Sequence, residues 1–239
     1  MILITGGTGR LGSSLKKQFP NALFPTRSEL DLISPESIKQ YVKKNNPSVV
    51  IHAAAMTSIR ECEEKKELCW KTNAEGTRLL VQACLEFCPE AYFVYISTPC
   101  VFDGIHGMYT ENDLPMPKNV YGLSKFVAEN SSKLMKRHLV VRTNFVAKQP
   151  WPYEGAFTDR FGTYLFADDV AFGVNELIAK ELTGLVHLVG DKKISMYELS
   201  LLCGSNPKKI TMKDYSGPVL PVDMTLDTVK WKKYKIGGV

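Results

Sequence analysis

The chain has 239 residues, 44% of them hydrophobic and 23% charged, which fits a water-soluble globular protein with one sizeable core. No apolar run approaches the roughly 18–20 residues of a membrane span, and the opening MILITGGTGRLG lacks the basic leader of a secretory signal, so a cytosolic protein without membrane contact is expected. The net charge of +5 and pI of about 8.8 come from Lys and Arg dispersed among acids, which predicts a basic cleft for an anionic ligand and no nucleic-acid surface.

Met1 to Ile4 reads as a strand that runs into TGGTGRLG, Thr5 to Gly12, and then into the helical period Leu11 to Phe19. The spacing Gly6-x-x-Gly9-x-x-Gly12 between a strand and a helix predicts a dinucleotide cradle. Gly6 allows the tight turn, Gly9 lets the backbone approach a pyrophosphate, and Gly12 lets helix and strand pack closely. Arg10 and Leu11 complete the loop, and the helix N-terminus presents free N–H groups to phosphate.

Ala22 to Phe24 is a second short strand. It ends in Phe24-Pro25-Thr26-Arg27, without the acid that would bind a ribose 2′-hydroxyl. Arg27 can instead pair with a 2′-phosphate, with Ser28 and Arg10 assisting, so NADP(H) is favoured over NAD(H). Asp31 and Leu32 follow where the backbone can run under an adenine. Ser34 to Lys44 reads as a helix with Ser34 as N-cap and Pro35 at its first position. Val49 to Ala55 is a buried strand whose end, Ala53-Ala54-Ala55, is small enough to leave room for a dinucleotide. His52 is read as a strand residue, not a base. Lys66 to Phe87 has the period of one long helix.

Tyr92 to Ile96 is the next strand and delivers Ser97 and Thr98 to its C-terminal end, where such sheets carry their chemistry. Thr98, with Ser97 as the alternative, can hydrogen-bond a substrate carbonyl. Tyr121 and Lys125 stand at i and i+4 of a helix predicted over 121–135 and share a face. A nearby ammonium is expected to lower the phenol below its usual value near ~10 and so suit it to acid–base work. Lys125 can also bond a nicotinamide ribose. Leu139 to Val141 reads as a strand. Apolar strands alternating with helices predict an α/β fold, a Rossmann-like doubly wound parallel sheet.

After Arg142 the character changes. QPWPY, Gln149 to Tyr153, is a proline- and aromatic-rich break. A helix over 166–179, a strand over 184–189 and a helix over 195–202 follow, the last stopped at Gly204. The expected division is a cofactor-binding body over 1–145 and a small, shortened substrate-side portion over 146–239 that is not fully independent. The tail KWKKYK, Lys230 to Lys235, is expected to be solvated. The six cysteines are expected to be reduced, and Cys84 and Cys88 lack the further ligands of a zinc site, so no metal is expected.

TGGTGRLG, HAAAMTSIRECE, KTNAEGT, ISTPCVFDG, NVYGLSK, VVRTNF, FTDRFGTYLFADDVA and GLVHLVG occur in the order found in extended short-chain dehydrogenases. The chain most resembles the dTDP-4-dehydrorhamnose reductases. That resemblance implies NADPH-dependent reduction of a 4-keto-deoxysugar nucleotide, with Thr98, Tyr121 and Lys125 catalytic and Asn73 a support near the cofactor. It also implies a sugar-nucleotide substrate bound by basic and aromatic groups after Arg142, and leaves a homodimer open. A sugar-nucleotide epimerase or epimerase/reductase on the same scaffold and a non-catalytic NADP-binding regulatory subunit are the alternatives. The chain departs from the family at Pro99, Cys100 and Asn144. It is also about two dozen residues shorter between Val146 and Phe157, the stretch that helps build the substrate pocket.

Overall fold

The computed structural model describes residues 1–238. Its centre is a five-stranded, all-parallel sheet in the order β1-β2-β3-β4-β9. The strands are β1 (Ile2–Thr5), β2 (Val49–His52), β3 (Tyr92–Ser97), β4 (Arg137–Thr143) and β9 (Gly184–Leu188). Beyond β1 the second predicted strand survives as one parallel bridge, Leu3 to Leu23, closed by Ile4 N–H to Leu23 O at 2.9 Å and Leu23 N–H to Ile2 O at 2.8 Å. The chain thus runs outward from β1 to Leu23 and then crosses to β2 on the other side. The ends of β1 and β2 therefore flank the switch point at which open α/β sheets bind ligands.

Alternation within the strands fills two layers. Ile4, Val94, Ile96 and Val141 face α1 (Arg10–Gln18) and α7 (Ala167–Ala179), burying Leu15, Val170 and Val174. Leu3, Phe93, Tyr95 and Val140 face the opposite way and meet Ile38 and Val42 of α2 (Pro35–Asn45), Leu80 and Val81 of α5 (Gly76–Phe87), and Ala128 of α6 (Val120–Ser132). Ser34 caps α2 as expected, accepting from Ser37 N–H. With both faces covered, every residue of β3 is buried.

The long helix expected over 66–87 is interrupted. A short α3 (Ile59–Glu64) precedes α4 (Lys66–Trp70), a π-helical turn spans Lys71–Glu75, and only then does α5 begin. The hydrophobic period cannot reveal an inserted residue that leaves the flanking turns helical.

Beyond β4 the chain forms short ladders: β5 (Phe145–Val146) with β8 (Leu165–Phe166), β6 (Gly155–Phe157) with β11 (Lys208–Ile210), and β7 (Phe161–Gly162) with β10 (Ile194–Ser195) and β12 (Asp223–Met224). The helix α8 (Met196–Leu202) carries a capping box between Ser195 and Glu198. The same half of the chain also supplies α7 and β9 to the central sheet. The tail differs from the solvated segment expected. Its lysines are exposed, but Trp231 is half-buried and Tyr234 buried, with the Tyr234 hydroxyl donating to Glu176 Oε2 at 2.7 Å. Aromatics spaced among lysines carry no period that marks them as core. No helix among the described residues is long and apolar enough to cross a membrane.

Candidate active site

The glycine loop has the shape its spacing requires. Gly6 takes φ +79° at the turn, and a Cβ there would stand 2.7 Å from Ala54 N. Gly9 N–H donates to Gly6 O at 2.9 Å and Gly9 opens α1 without a side-chain cap. A Cβ on Gly12 would stand 2.2 Å from Gly6 O, so glycine alone lets α1 start this close to the loop. The cradle lies against Ala53, Ala54 and Ala55, which leave β2 as partly exposed extended chain, with Ala54 N–H donating to Thr5 Oγ1 at 3.3 Å. Small side chains, a free helix N-terminus and close backbone approach fit a dinucleotide diphosphate. A cleft of about 360 Å³ opens beside the loop, lined in part by Gly9, Arg10, Ser13 and Lys148. Leu11, by contrast, is buried in the core, so only its backbone can face a ligand.

Arg27 extends into solvent, its side chain 75% exposed, with Asp31 Oδ1 3.7 Å from its Nε. To meet a phosphate it has to exchange only this exposed, solvent-screened pair with Asp31. Glu29, two residues beyond Arg27, has its carboxylate occupied by Thr26, accepting from the backbone N–H at 2.8 Å and the hydroxyl at 2.9 Å. Those bonds hold its pKa below the usual carboxylate range. Leu32 O lies 2.8 Å from where a Cβ on Gly76 would stand, so α5 begins directly against the Asp31-Leu32 turn.

The chemistry gathers where β3 ends and α6 begins. Asn119 caps α6 by accepting from Gly122 N–H at 2.8 Å. This fixes Tyr121 in the first turn and Lys125 one turn on, both buried. Lys125 Nζ donates to Ile96 O at 2.7 Å and lies 4.2 Å from the centre of the Tyr95 ring. Burial pulls its pKa down to about 7, against the attraction of Glu129. Tyr121 runs counter to expectation. In the protein alone burial raises the phenol pKa well above its usual value, Cys100 adds to this, and a contact with the Thr98 hydroxyl opposes it. Desolvation dominates because the groups acting on the phenol are Cys100, Thr98, Cys62 and Cys69, while Lys125 Nζ is turned to Ile96 O and the Tyr95 ring.

Thr98 Oγ1 accepts from Cys100 N–H at 3.2 Å, which leaves its proton free to donate. Ser97, the alternative, is committed: its hydroxyl donates to Glu129 Oε1 at 2.5 Å. Glu129 also takes a bidentate pair from Arg142, Nε at 2.8 Å and Nη2 at 2.7 Å, with both side chains at 2% exposure or less. The sequence reading used Arg142 only as a boundary and passed over Glu129, although Tyr121, Lys125 and Glu129 recur every fourth residue along one helix face.

Asn73 sits on the π-helical turn and is 1% exposed. Its amide donates to Met56 O at 2.9 Å and Ser124 Oγ at 3.0 Å while accepting from Met56 N–H at 2.8 Å. It ties α6 to the segment following Ala55, so its contacts within the protein are those of a support. His52 is buried between Thr5 at 2.6 Å and Thr77 at 2.9 Å, with its pKa lowered to about 3 chiefly by burial. It is a neutral strand residue, as read from the sequence.

Residues 1–155 match the RmlD substrate binding domain family. The chain belongs to that family. It is 28% identical to dTDP-4-dehydrorhamnose reductase of Aggregatibacter actinomycetemcomitans over 228 residues, 84% of this chain and 76% of the relative. It is 25% identical to methionine adenosyltransferase 2 subunit beta of Rattus norvegicus over 281 aligned positions, 99% of this chain and 83% of the relative. That alignment is longer than this chain of 239 residues, so the relative carries residues that this member lacks. Among solved structures, dTDP-4-dehydrorhamnose reductase of Bacillus anthracis in complex with NADP superposes with a TM-score of 0.86 at 24% identity, covering 95% of this chain and 89% of that one. The fold is that of the extended short-chain dehydrogenases, as the motif order implied.

Proposed function

We propose that this member of the family reduces a 4-keto-deoxysugar nucleotide with NADPH, the chemistry for which its dTDP-4-dehydrorhamnose reductase relatives are named. One observation carries the reading: Thr98, Tyr121 and Lys125 are gathered, buried, where β3 ends and α6 begins, in a chain whose glycine loop and free α1 N-terminus suit a dinucleotide diphosphate. Gly6, Gly9, Gly12 and the N-terminus of α1 would hold the diphosphate, Ala53 to Ala55 would border the nucleotide, Arg27 and Arg10 would meet a 2′-phosphate, and Lys125 the nicotinamide ribose.

The bound cofactor supplies a hydride to the carbonyl carbon. The residues of this chain do the rest. The Thr98 hydroxyl donates to the carbonyl oxygen and polarises it. The Tyr121 phenol, held protonated by its burial, gives its proton to that oxygen as negative charge develops there. The resulting phenolate is stabilised by the Lys125 ammonium one helical turn away. Glu129 and Arg142 brace the end of β3 and the middle of α6, which keeps the donor groups in register.

The likeness to methionine adenosyltransferase 2 subunit beta and the short substrate side keep a cofactor-binding regulatory role in view. Both readings predict cofactor binding, but only the first predicts turnover. Mixing the protein with NADPH and a panel of 4-keto-sugar nucleotides should consume absorbance at the nicotinamide band. Tyr121→Phe should abolish that consumption, at least a hundredfold, and leave NADPH affinity within about twofold, consistent with the usual worth of a general acid. Unchanged turnover in the variant would overturn the assignment of the proton donor. Tight NADPH binding with no turnover of any 4-keto sugar would favour the regulatory reading. Six free cysteines among the described residues support a cytosolic protein.

A further inference from the structure

The motif HAAAMTSIRECE ends in Glu63, a residue that neither the glycine cradle nor the catalytic groups account for. Glu63 stands on α3, 57 positions before the backbone it meets. Its Oε1 accepts at 2.7 Å from Val120 N–H, the first amide of α6. Its Oε2 lies 3.5 Å from Lys66 Nζ, and the Glu63 side chain is 23% exposed. The first amides of a helix have no partner inside it, and a carboxylate there is favoured by the helix dipole as well as by the hydrogen bond. α3 itself is fixed. Ser58 caps it by accepting from Glu61 N–H at 3.2 Å, and Cys62, the neighbour of Glu63, is buried in the cluster that contains Tyr121.

Tyr121 directly follows Val120. Asn119, the local cap, closes the first turn of α6 on itself by accepting from Gly122 N–H. Such a cap makes the turn helical but does not decide where the helix lies. Placement comes from longer ties. Asn119 Nδ2 donates to Val219 O at 3.1 Å, Asn73 grips Ser124 one turn further on, and Glu63 holds the turn that carries the phenol. Asn73 and Glu63 both lead back to the segment that leaves β2 at Ala53–Ala55, Asn73 through Met56 and Glu63 through α3. The border of the cofactor site and the proton donor are thus tied to the same stretch of chain. The two contacts of Glu63 differ in weight. Its pair with the exposed Lys66 is screened by solvent, whereas its part-buried bond to Val120 N–H is short and charge-assisted.

We infer that Glu63 is a positioning residue of the reaction: it holds the first turn of α6 so that the Tyr121 phenol meets the carbonyl oxygen polarised by Thr98, and it acts through Val120 without touching substrate or cofactor. The inference deepens the reductase reading and rests on it for the identity of the reaction. Misplacing a reacting group by about 1 Å costs on the order of a hundredfold in rate, so the tie should register in turnover far more than in binding. Three substitutions separate its parts. Glu63→Ala removes the acceptor, Glu63→Gln keeps a carbonyl oxygen for Val120 N–H, and Lys66→Met removes the outer pair alone.

The test compares these variants in steady-state turnover and by NMR of NADP+-saturated protein isotope-labelled at tyrosine Cζ, the Tyr121 resonance being the one that Tyr121→Phe removes. Glu63→Ala should lower kcat about tenfold or more, leave KM and NADPH affinity within about twofold, and shift or broaden the Tyr121 resonance. Glu63→Gln should restore most of kcat and the wild-type resonance, and Lys66→Met should match the wild type in both. NADPH affinity also reports that the variants are folded. A Tyr121 resonance unmoved in Glu63→Ala, or a loss of kcat in which NADPH affinity falls in step and Glu63→Gln does no better than Glu63→Ala, would overturn the inference. A Tyr121 resonance that answers to Glu63→Ala and recovers in Glu63→Gln, in a protein that reduces no 4-keto sugar, would leave Glu63 as the residue that places the phenol and remove the reductase reading instead.

Discussion

Lys125 shows at the scale of one residue how the site is built against the stability of the fold. An ammonium at 3% exposure has one carbonyl and one aromatic face for company, and burial lowers its pKa from 10.5 to about 7. The unfolded chain keeps its proton up to about pH 10, the folded one only to about pH 7. Between those values the unfolded state binds more protons, so stability rises with pH. Below pH 7 the whole penalty is present, and it fades towards pH 10.5. From pH 6 to pH 9 this one group should add about 2–3 kcal/mol to the unfolding free energy. Lys125→Met should abolish turnover and flatten that rise by the same amount in urea titrations at the two pH values. An identical pH slope in the variant would mean that Lys125 stays fully charged in the folded protein. The i,i+4 spacing of Tyr121 and Lys125 was legible in the sequence because a helix fixes it. The direction of the phenol's shift was not, because desolvation depends on Cys100, Met224 and other residues distant in the chain.

Between elements, the buried pair Glu129–Arg142 joins α6 to β4 and, through Ser97, to the end of β3. All three elements carry or abut catalytic groups, so the pair sets their mutual register. Glu129→Gln keeps the shape but leaves Arg142 as an uncompensated buried cation, which should cost about 3–5 kcal/mol in chemical denaturation. The double variant Glu129→Leu/Arg142→Met should recover much of that stability, because well-packed apolar groups replace such pairs at little cost, and should still lose turnover as the ends of β3 and α6 loosen. A double variant as unstable as the single would show that the pair contributes more than mutual neutralisation. The sequence marks α6 and β4 as elements by their apolar periods. It gives no sign that a Glu and an Arg thirteen positions apart face each other, since that contact exists only once β4 lies beside β3. The π-helical turn under Asn73 was hidden for a similar reason: α4 and α5 read as one helix because the insertion leaves both flanking periods intact.

At the scale of the whole molecule, the cofactor-side sheet followed from alternating apolar strands and helices, while in the later half α7, β9 and α8 followed from their periods and the short ladders between them did not. Its ladders run two or three residues each and pair across long separations, β7 with β12 and β6 with β11, so no local pattern announces them. The tail is the clearest case. Tyr234 N–H donates to Val189 O at 2.9 Å, its hydroxyl bonds Glu176 on α7 and accepts from Trp231 Nε1 at 2.8 Å, and Gly237 N–H reaches Asp169 Oδ2 at 2.8 Å near the start of α7. Since α7 packs on α1, whose first turn forms the phosphate cradle, the tail braces the layer behind the cofactor site without touching it. Tyr234→Ala should therefore destabilise the fold by about 3–5 kcal/mol, as for other buried aromatics, and Tyr234→Phe by about 1 kcal/mol for the lost hydroxyl bonds. Turnover well below the melting temperature should stay within about twofold of wild type in both, because α1 keeps its loop contacts until the layer opens. A Tyr234→Ala variant within 0.5 kcal/mol of wild type, the range of ordinary surface substitutions, would show that the segment after Asp227 lies on the protein without being part of its core.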